Sequence, residues 1–356
     1  MGNYLAGDVL RHTAAVSLVL LLIIITGRFV KYLAEAASGE LAAEVLLPIM
    51  FYRLPGFIEL LLPLALFIGI LMAYGRLYVE SEMVILSACG VGPLRLAGWT
   101  LLPALLVAVV VAGLALEVTP RGVERSEALL SDPEAVQGLQ LLAAGRFQSS
   151  SDGSSVTYAG AIDAEEGTLQ EVFAYRRDPR SPTGASVLRA QTGRIVRDPN
   201  GLRYLELEQG HRSSGQAGRL DYQLVAFDRY GERLPDAPAL AAAQPVDART
   251  TQALWSSSTA EDRAALHWRI SLFAMVPIVA LLAMALSKTN HRRGRYMSLA
   301  PGLLLHLAYL FLLATTRSRV AEEGAPIWNF WLLHGVFLAV ALSLLFGPQL
   351  LRRLRN

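Results

Sequence analysis

Six mainly apolar stretches, each about 20 residues long, constrain this 356-residue chain more than any other feature. A helix of that length crosses the hydrocarbon core of a bilayer, where every backbone polar group must be bonded within the protein. We therefore predict six transmembrane helices, at residues 12–33, 55–74, 96–118, 267–286, 296–316 and 327–346. The composition agrees, since 53% of the residues are hydrophobic and 17% are charged, against about 25% charged in soluble proteins.

Three spans precede a polar insert and three follow it, which gives domains at residues 1–118, 119–263 and 264–356. The insert opens with a helical pattern that continues to Gln140. Asp-Gly, Asp-Pro, Pro-Asn-Gly and Ser-Ser-Gly turns, the last at Ser213, then separate strand-like segments at 155–158, 169–175, 186–196, 202–208 and 220–227. A Pro- and Ala-rich linker covers 234–245. The predicted fold is membrane α+β, with an antiparallel sheet domain whose Leu205 and Leu207 face away from Glu206 and Glu208.

The distribution of basic residues predicts the side of the membrane that each segment occupies. Ten lie in short segments on the side of the N-terminus and five on the other side. The ten are Arg11, Arg76, Arg95, Lys288, Arg292, Arg293, Arg295, Arg352, Arg353 and Arg355, and the five are Arg28, Lys31, Arg53, Arg317 and Arg319. Short cytoplasmic loops carry an excess of Lys and Arg, so we expect both termini in the cytoplasm and the insert outside it.

Several classes of function are excluded by what the sequence lacks. The lysines are Lys31 and Lys288, and neither stands in the Gly-Lys-Ser/Thr of a phosphate-binding loop, so we expect ATP to be bound elsewhere. Hydrolase and zinc motifs are missing too, which argues against an enzyme and against a metal site. A formal charge of +2 without a basic run argues against nucleic-acid binding. The first stretch lacks a cleavage site and predicts an uncleaved signal anchor.

The loop between the second and third spans is the first candidate site. A helix is predicted from Tyr78 to Ala88, closed by Gly90, with Glu80 and Glu82 among apolar residues. Tyr78, Glu82 and Leu86 are four apart and would share one face. Such a surface suits insertion into the groove of a cytoplasmic partner, and a helix lying on the membrane surface is the alternative.

Basic residues at the outer end of the first span form the second candidate site. Arg28 and Lys31 are three apart on one helix face, where they would hold an anionic lipid head group or simply anchor the helix at the interface. His306 and His334 lie deeper, without a carboxylate partner in sequence. We expect hydrogen-bonded packing from them rather than a proton relay, which argues against a secondary transporter.

At this point the motifs resemble a known family. The loop Gly75-Arg76-Leu77-Tyr78-Val79-Glu80-Ser81-Glu82-Met83, continued by Ala88-Cys89-Gly90, is similar to that of the LptF/LptG permeases of bacterial lipopolysaccharide export. Further matches are Gly145-Arg146-Phe147-Gln148, His267-Trp268-Arg269-Ile270, Gly294-Arg295 and Arg352-Arg353-Leu354-Arg355. The LptG branch shares a Ser-Glu in this loop but usually not Glu-Ser-Glu together with Ala-Cys-Gly, so the resemblance is closer to the other branch.

The resemblance implies a non-catalytic permease of the Gram-negative inner membrane, with a periplasmic β-jellyroll and the paralogue LptG as partner. A dimer of the ATPase LptB would bind ATP and Mg²⁺, so this chain would hold no cofactor. A coupling helix at about 78–89 would engage LptB through Tyr78, Glu80, Glu82, Met83 and Leu86. Arg28 and Lys31 would meet lipopolysaccharide phosphates.

The resemblance also implies a route for the lipid. The first and fifth spans would form lateral gates with LptG, with the helix of LptC near the fifth span. The jellyroll would pass lipopolysaccharide to LptC on its way to the outer membrane. Two alternatives stay open, namely a permease for another anionic lipid and a membrane-anchored periplasmic receptor without a transport role.

Overall fold

The computed structural model describes residues 1–37, 43–131, 145, 147–149, 155–163, 168–177, 184–197, 203–216, 222–233, 245–288 and 299–355. The chain divides into a helical unit, made of Met1–Phe29, Ile49–Glu127 and Gln244–Asn356, and a second unit, made of Val30–Pro48 and Ala128–Ala243. Several predictions lie outside the described residues. They are the helical pattern over 132–140, most of the linker, the start of the fifth span, and Arg146, Arg292, Arg293, Gly294 and Arg295.

The helices before the insert are α1 (Gly2–Ala37), α2 (Ala43–Val79), α3 (Glu82–Ala88), α4 (Pro93–Gly113) and α5 (Thr119–Ser131). Those after it are α6 (Thr251–Ser256), α7 (Ala260–Leu286), α8 (Leu299–Glu322) and α9 (Trp328–Arg355). Within the described residues, six helices are long and apolar enough to cross a membrane, which confirms the six predicted spans. Most extend beyond their predicted bounds, because a helix continues into polar residues once it leaves the hydrocarbon region.

The third span does not end where the apolar residues end. A π-helical turn at Leu114–Val118 joins α4 to α5, so the helix continues without a break to Ser131. Such turns leave backbone groups without their usual helical partners. Here the hydroxyl of Thr251, which follows the sheet strands in the chain, donates a hydrogen bond to the carbonyl of Leu116. The segments that precede and follow the sheet in the chain are therefore joined within the helical unit.

The core of the helical unit is centred on α7. This helix packs against α4, α8 and α9. Met275, Val276, Val279 and Ala280 are among its fully buried residues. In contrast, α1 leaves Leu18, Val19, Leu22 and Ile23 mostly exposed, so its middle presents an apolar face to lipid or to another chain.

A glycine lets α5 approach α2 closely. A Cβ atom at Gly122 would lie 2.1 Å from the carbonyl oxygen of Tyr52, so Gly122→Ala forces the backbones apart. We expect this substitution to destabilise the protein by about 1–3 kcal/mol, as overpacking does. Gly113→Ala is the matched control, because nothing lies within 4 Å of its added methyl group. Thermal unfolding of the two purified variants checks the difference, and equal melting temperatures would contradict the close approach.

The second unit contains one antiparallel sheet of seven strands in the order β1-β2-β4-β5-β6-β7, with β3 paired to β4. The strands are β1 (Phe147–Ser149), β2 (Ser155–Tyr158), β3 (Ala161–Asp163), β4 (Thr168–Arg177), β5 (Gly184–Arg197), β6 (Arg203–Gln216) and β7 (Gln223–Arg233). All five predicted strands are confirmed, and two short ones, β1 and β3, are additional. The predicted Ser-Ser-Gly turn at Ser213 is wrong, because that segment pairs with Val187 and its neighbours inside β6.

The two sides of the sheet differ as the alternation predicted. Leu205 and Leu207 pack into an apolar cluster with Val172 and Leu188. On β6 Glu206 instead accepts bonds from arginines of both neighbouring strands, at 2.8 Å from Arg194 and 3.2 Å from Arg229. The described strands form one hydrogen-bonded sheet, and the jellyroll arrangement stays a prediction.

Candidate coupling and lipid-binding sites

The loop between α2 and α4 contains a shorter helix than the sequence predicted. Helix α2 continues to Val79, and Ser81 then adopts a left-handed conformation with φ of 62° before α3 starts at Glu82. The predicted helix from Tyr78 is therefore broken at Ser81, and Tyr78 belongs to the last turn of the second span. Gly90, with φ of 86°, closes the loop, as its position in the sequence indicated.

Burial divides the predicted contact residues of this loop into two groups. Met83 and Leu86, which we predicted to contact a partner, are 5% and 8% exposed and belong to the core of the helical unit. Tyr78 is half-buried against the same core. The physical reason is that α3 lies against the end of the helical core, so its apolar side chains on that side are removed from water. These three residues fix the loop to the helical core, and their contact with a partner stays a prediction.

Other apolar side chains of the loop are exposed. Val79, Val84, Ile85 and Leu94 are 40%, 55%, 60% and 75% exposed, and we refer to these four residues as the loop surface. Val84 and Ile85 follow Met83 on α3, so one side of this helix is anchored and the other is uncovered. Met83, Val84, Ile85 and Leu86 form one continuous apolar run, so the sequence does not show which of them are exposed.

The two loop carboxylates have different surroundings. Glu80 lies 3.3 Å from Arg76, which also reaches the buried carboxylate of Asp8 on α1 at 3.2 Å. Glu82 is partly exposed and forms no ion pair with any residue that the structure describes. Glu82 is therefore the carboxylate that is available to a partner. Sequence reasoning missed Asp8 as the residue that anchors Arg76, since 68 positions separate the two.

The two basic residues of the predicted head-group site both lie on α1. The guanidinium of Arg28 stands 5.2 Å from the centre of the Phe57 ring, a cation–π arrangement that leaves its N–H groups free to donate outward. The ammonium of Lys31 lies 3.5 Å from the carboxylate of Glu35, one turn further along α1. Exposed pairs of this kind contribute little energy, so an anionic ligand can compete with Glu35 for Lys31.

A polar network that the sequence did not predict ties the helical ends near the insert. Arg269 is 5% exposed and donates to the Thr251 hydroxyl at 2.9 Å and to the carbonyls of Asp247 and Arg249 at 3.0 and 2.8 Å. Arg249 in turn donates to both carboxylate oxygens of the buried Asp262, at 2.6 and 2.8 Å. The motif His267-Trp268-Arg269-Ile270 does not predict these contacts, and the one sequence signal for them is an arginine within an apolar span.

The buried histidines serve packing. His334 hydrogen-bonds through Nδ1 to the Tyr309 hydroxyl at 2.5 Å, and Tyr309 stacks on Phe337 with ring centres 3.9 Å apart. This confirms the predicted hydrogen-bonded role for His334. His306 packs on Phe67, with ring centres 5.5 Å apart, but neither of its ring nitrogens has a hydrogen-bond partner in the described part of the chain. Among the described residues, His306 therefore packs through its ring and does not make the predicted hydrogen bond.

Comparison with known proteins covers nearly the whole chain. The model of the family described as "Lipopolysaccharide export system permease LptF/LptG" matches residues 3–346. The "Lipopolysaccharide export system permease protein LptF" of Escherichia coli (strain K12) is 31% identical over 356 residues, which cover 99% of this chain and 96% of that protein. The protein of the same name from Shigella flexneri matches with the same identity and coverage. By its full-length match, its six spans and its inserted sheet, the chain belongs to the LptF/LptG family of lipopolysaccharide export permeases.

Proposed function

We propose that this chain is the transmembrane subunit that takes lipopolysaccharide from the outer leaflet of the inner membrane and delivers it, through its inserted sheet domain, towards the outer membrane. The full-length family match carries the proposal, and the six apolar helices fit it. We place both termini in the cytoplasm and the insert in the periplasm, on the excess of basic residues in the short inner segments. The partner subunit would be LptG, and the acceptor LptC.

Energy would come from a separate ATPase, LptB, which binds ATP and Mg²⁺. The loop surface and Glu82 supply what such a contact needs, since apolar groups give affinity and an unpaired charge gives orientation. Met83 and Leu86 support the contact from beneath, because they fix α3 to the bundle. Movement of the ATPase would then reach α2 and α4 through α3, which lies between them in the chain and packs on the helical core.

The lipid would be recognised at the insert-side end of α1. Arg28 supplies several N–H donors beside an aromatic ring, which suits a phosphate group. Lys31 adds a second positive charge three positions on, provided that the ligand displaces Glu35. Charge and hydrogen bonding would hold the head group while a cavity that we expect between this chain and LptG narrows.

Complex purification followed by lipid analysis tests the proposal. The full chain, co-expressed with LptG, LptB and LptC, is expected to copurify with all three and to retain lipopolysaccharide. A complex that retains only another anionic lipid would favour a permease for that lipid. A chain that purifies without any ATPase would favour the receptor alternative and overturn the proposal.

Charge substitutions at the head-group site give a graded prediction. Export is expected to fall in the order wild type, Arg28→Gln with Lys31→Gln, and Arg28→Glu with Lys31→Glu, because the second pair turns attraction into repulsion. Loss of two charge-assisted hydrogen bonds corresponds to more than about tenfold in affinity. Photo-crosslinking of lipopolysaccharide from position 28 or 31 measures the contact.

Single variants refine this test. Arg28→Gln should cost more than Lys31→Gln, because Lys31 is already paired with Glu35. Glu35→Gln is the matched control, and it is expected to leave export at or above the wild-type level. Normal crosslinking in the double Glu variant at a normal protein level would show that Arg28 and Lys31 only anchor the helix.

A further inference from the structure

A groove of about 380 Å³ opens between α6, the first half of α7 and the start of α9. Its walls include Arg263, His267 and Ile270 of α7, facing Trp255 on one side and Ile327 and Trp331 on the other. No residue of α1 or α2 lines it. The groove is therefore separate from Arg28 and from the loop surface, and the proposed function makes no use of it.

Arg263 and His267, the two titratable side chains of the groove, lie on one face of α7, and Ser257 of the preceding turn donates to Asp262. Arg263, His267 and Ile270 are spaced four and three residues apart, so they share one helix face. Arg263 is exposed and forms no ion pair with any described residue, and the neighbouring Asp262 is already bound by Arg249. His267 has a buried Nδ1 atom without a hydrogen-bond partner in the described chain. The face thus offers an uncompensated positive charge beside a partly exposed imidazole ring.

The rest of the groove is apolar and rimmed by tryptophan. Trp255 is 74% exposed and Trp331 45%, although both are large aromatic side chains. Tryptophan is enriched where hydrocarbon meets head groups, because its ring is apolar and its N–H is polar. From Arg263 the groove runs inward to Ile270 on α7 and Trp331 on α9. The groove is therefore cationic near the start of α7 and apolar further along this helix, where the helix would enter the bilayer.

We propose that this groove binds one phospholipid of the surrounding membrane, with its phosphate at Arg263, beside the ring of His267, and one acyl chain along Ile270 and Trp331. The uncompensated charge selects an anionic group, and the apolar wall selects a chain attached to it. The volume lies at the lower end of the roughly 300–1,000 Å³ of small-molecule sites, which suits one chain and not a whole lipopolysaccharide. The proposal requires α7 and α9 to span a bilayer and is independent of which lipid is exported.

Such a lipid would act on the segment that returns from the insert. Leu254 of α6 is fully buried against Ala265 and Leu266 of α7, while Trp255 beside it faces the groove. A phospholipid held there would cover the exposed side of α6. It would thereby fix, at the membrane surface, the segment whose Thr251 and Asp247 bond to Arg269.

Photolabelling of the intact complex tests the site. The purified complex is stripped of lipid, incubated with phosphatidylglycerol that carries a diazirine on an acyl chain, and irradiated. Label is expected on peptides that contain residues 263–271 and 327–334. Arg263→Gln should lower the labelling roughly tenfold, the factor that one charge-assisted hydrogen bond provides, and Arg263→Lys should retain most of it. Arg319→Gln is the control, because it removes an exposed charge from the last turn of α8, outside the groove. This variant should label like wild type.

Competition and a second crosslinker decide the occupant. Unlabelled phosphatidylglycerol is expected to displace the label, and benzoylphenylalanine in place of Trp255 should crosslink to phospholipid in native membranes. Equal labelling of wild type and Arg263→Gln would overturn the proposal. So would displacement by lipopolysaccharide alone, or crosslinking from position 255 to a protein chain instead of a lipid.

Discussion

Ile85→Asp is expected to abolish lipopolysaccharide export while the amount of inserted protein stays normal. Ile85 is 60% exposed on the uncovered side of α3, so the charge costs the isolated chain little. In an ATPase contact the same charge would be buried without a partner. Loss of a central apolar contact costs about 2 kcal/mol or more, which corresponds to well over tenfold in affinity. Copurification of LptB with the variant measures this directly.

Met83→Asp is the matched control on the same helix. Met83 is 5% exposed within the core of the helical unit, so an aspartate there places an unpaired charge among apolar residues. We expect the level of this protein to fall, in contrast to Ile85→Asp. Suppose instead that Met83→Asp accumulated normally and lost LptB while Ile85→Asp kept it. Met83 would then form the ATPase contact, as the sequence predicts, and Ile85 would not.

Glu82 provides an independent arm of this test. Glu82→Ala removes the loop carboxylate that has no ion pair among the described residues, and Glu82→Arg reverses its charge. Either change is expected to weaken LptB association, since losing one member of a buried charge pair costs about 2–5 kcal/mol. Glu80→Ala should cost less, because Glu80 is already paired with Arg76. Normal export in the Glu82 variants would remove Glu82 from the site.

Deleting the sheet is expected to stop export completely and to leave the ATPase contact intact. The deletion covers residues 132–244, replaced by a flexible Gly/Ser linker, and it retains α5 and the segment from Val246 onward. These ends must stay because Asp247 and Thr251 bond to Arg269 within the helical unit. The loop surface lies at the other end of α2 and α4, so LptB should copurify as before. Delivery of lipid to LptC is the measured activity.

A larger deletion separates the two roles of the insert. Removing residues 129–251 also deletes Arg249, which leaves the buried Asp262 without its cation. We expect this version to be unstable, since breaking a buried ion pair costs about 3–5 kcal/mol. Normal lipid delivery by the smaller deletion would show that the sheet is no part of the transport route.

The sequence alone determined the features that depend on neighbouring residues and on the solvent. A stretch of apolar residues must cross a bilayer whatever lies beside it, so the six spans were predictable. The alternation of Leu205 and Leu207 with Glu206 and Glu208 likewise predicts two faces of a strand. Turn signals worked less well, because Ser213 to Gly215 find hydrogen-bond partners on β5 and continue the strand.

Tertiary structure decided what depends on residues far apart in the chain. Met83 and Ile85 are both apolar, but Met83 faces the helical core and is buried, whereas Ile85 faces away from it and is exposed. Arg76 meets Asp8 across 68 positions, and Arg269 meets Thr251 across a turn that no local pattern predicts. Ion pairs and burial are properties of packed surfaces, and packing brings these residues together by geometry that their immediate sequence neighbours do not specify.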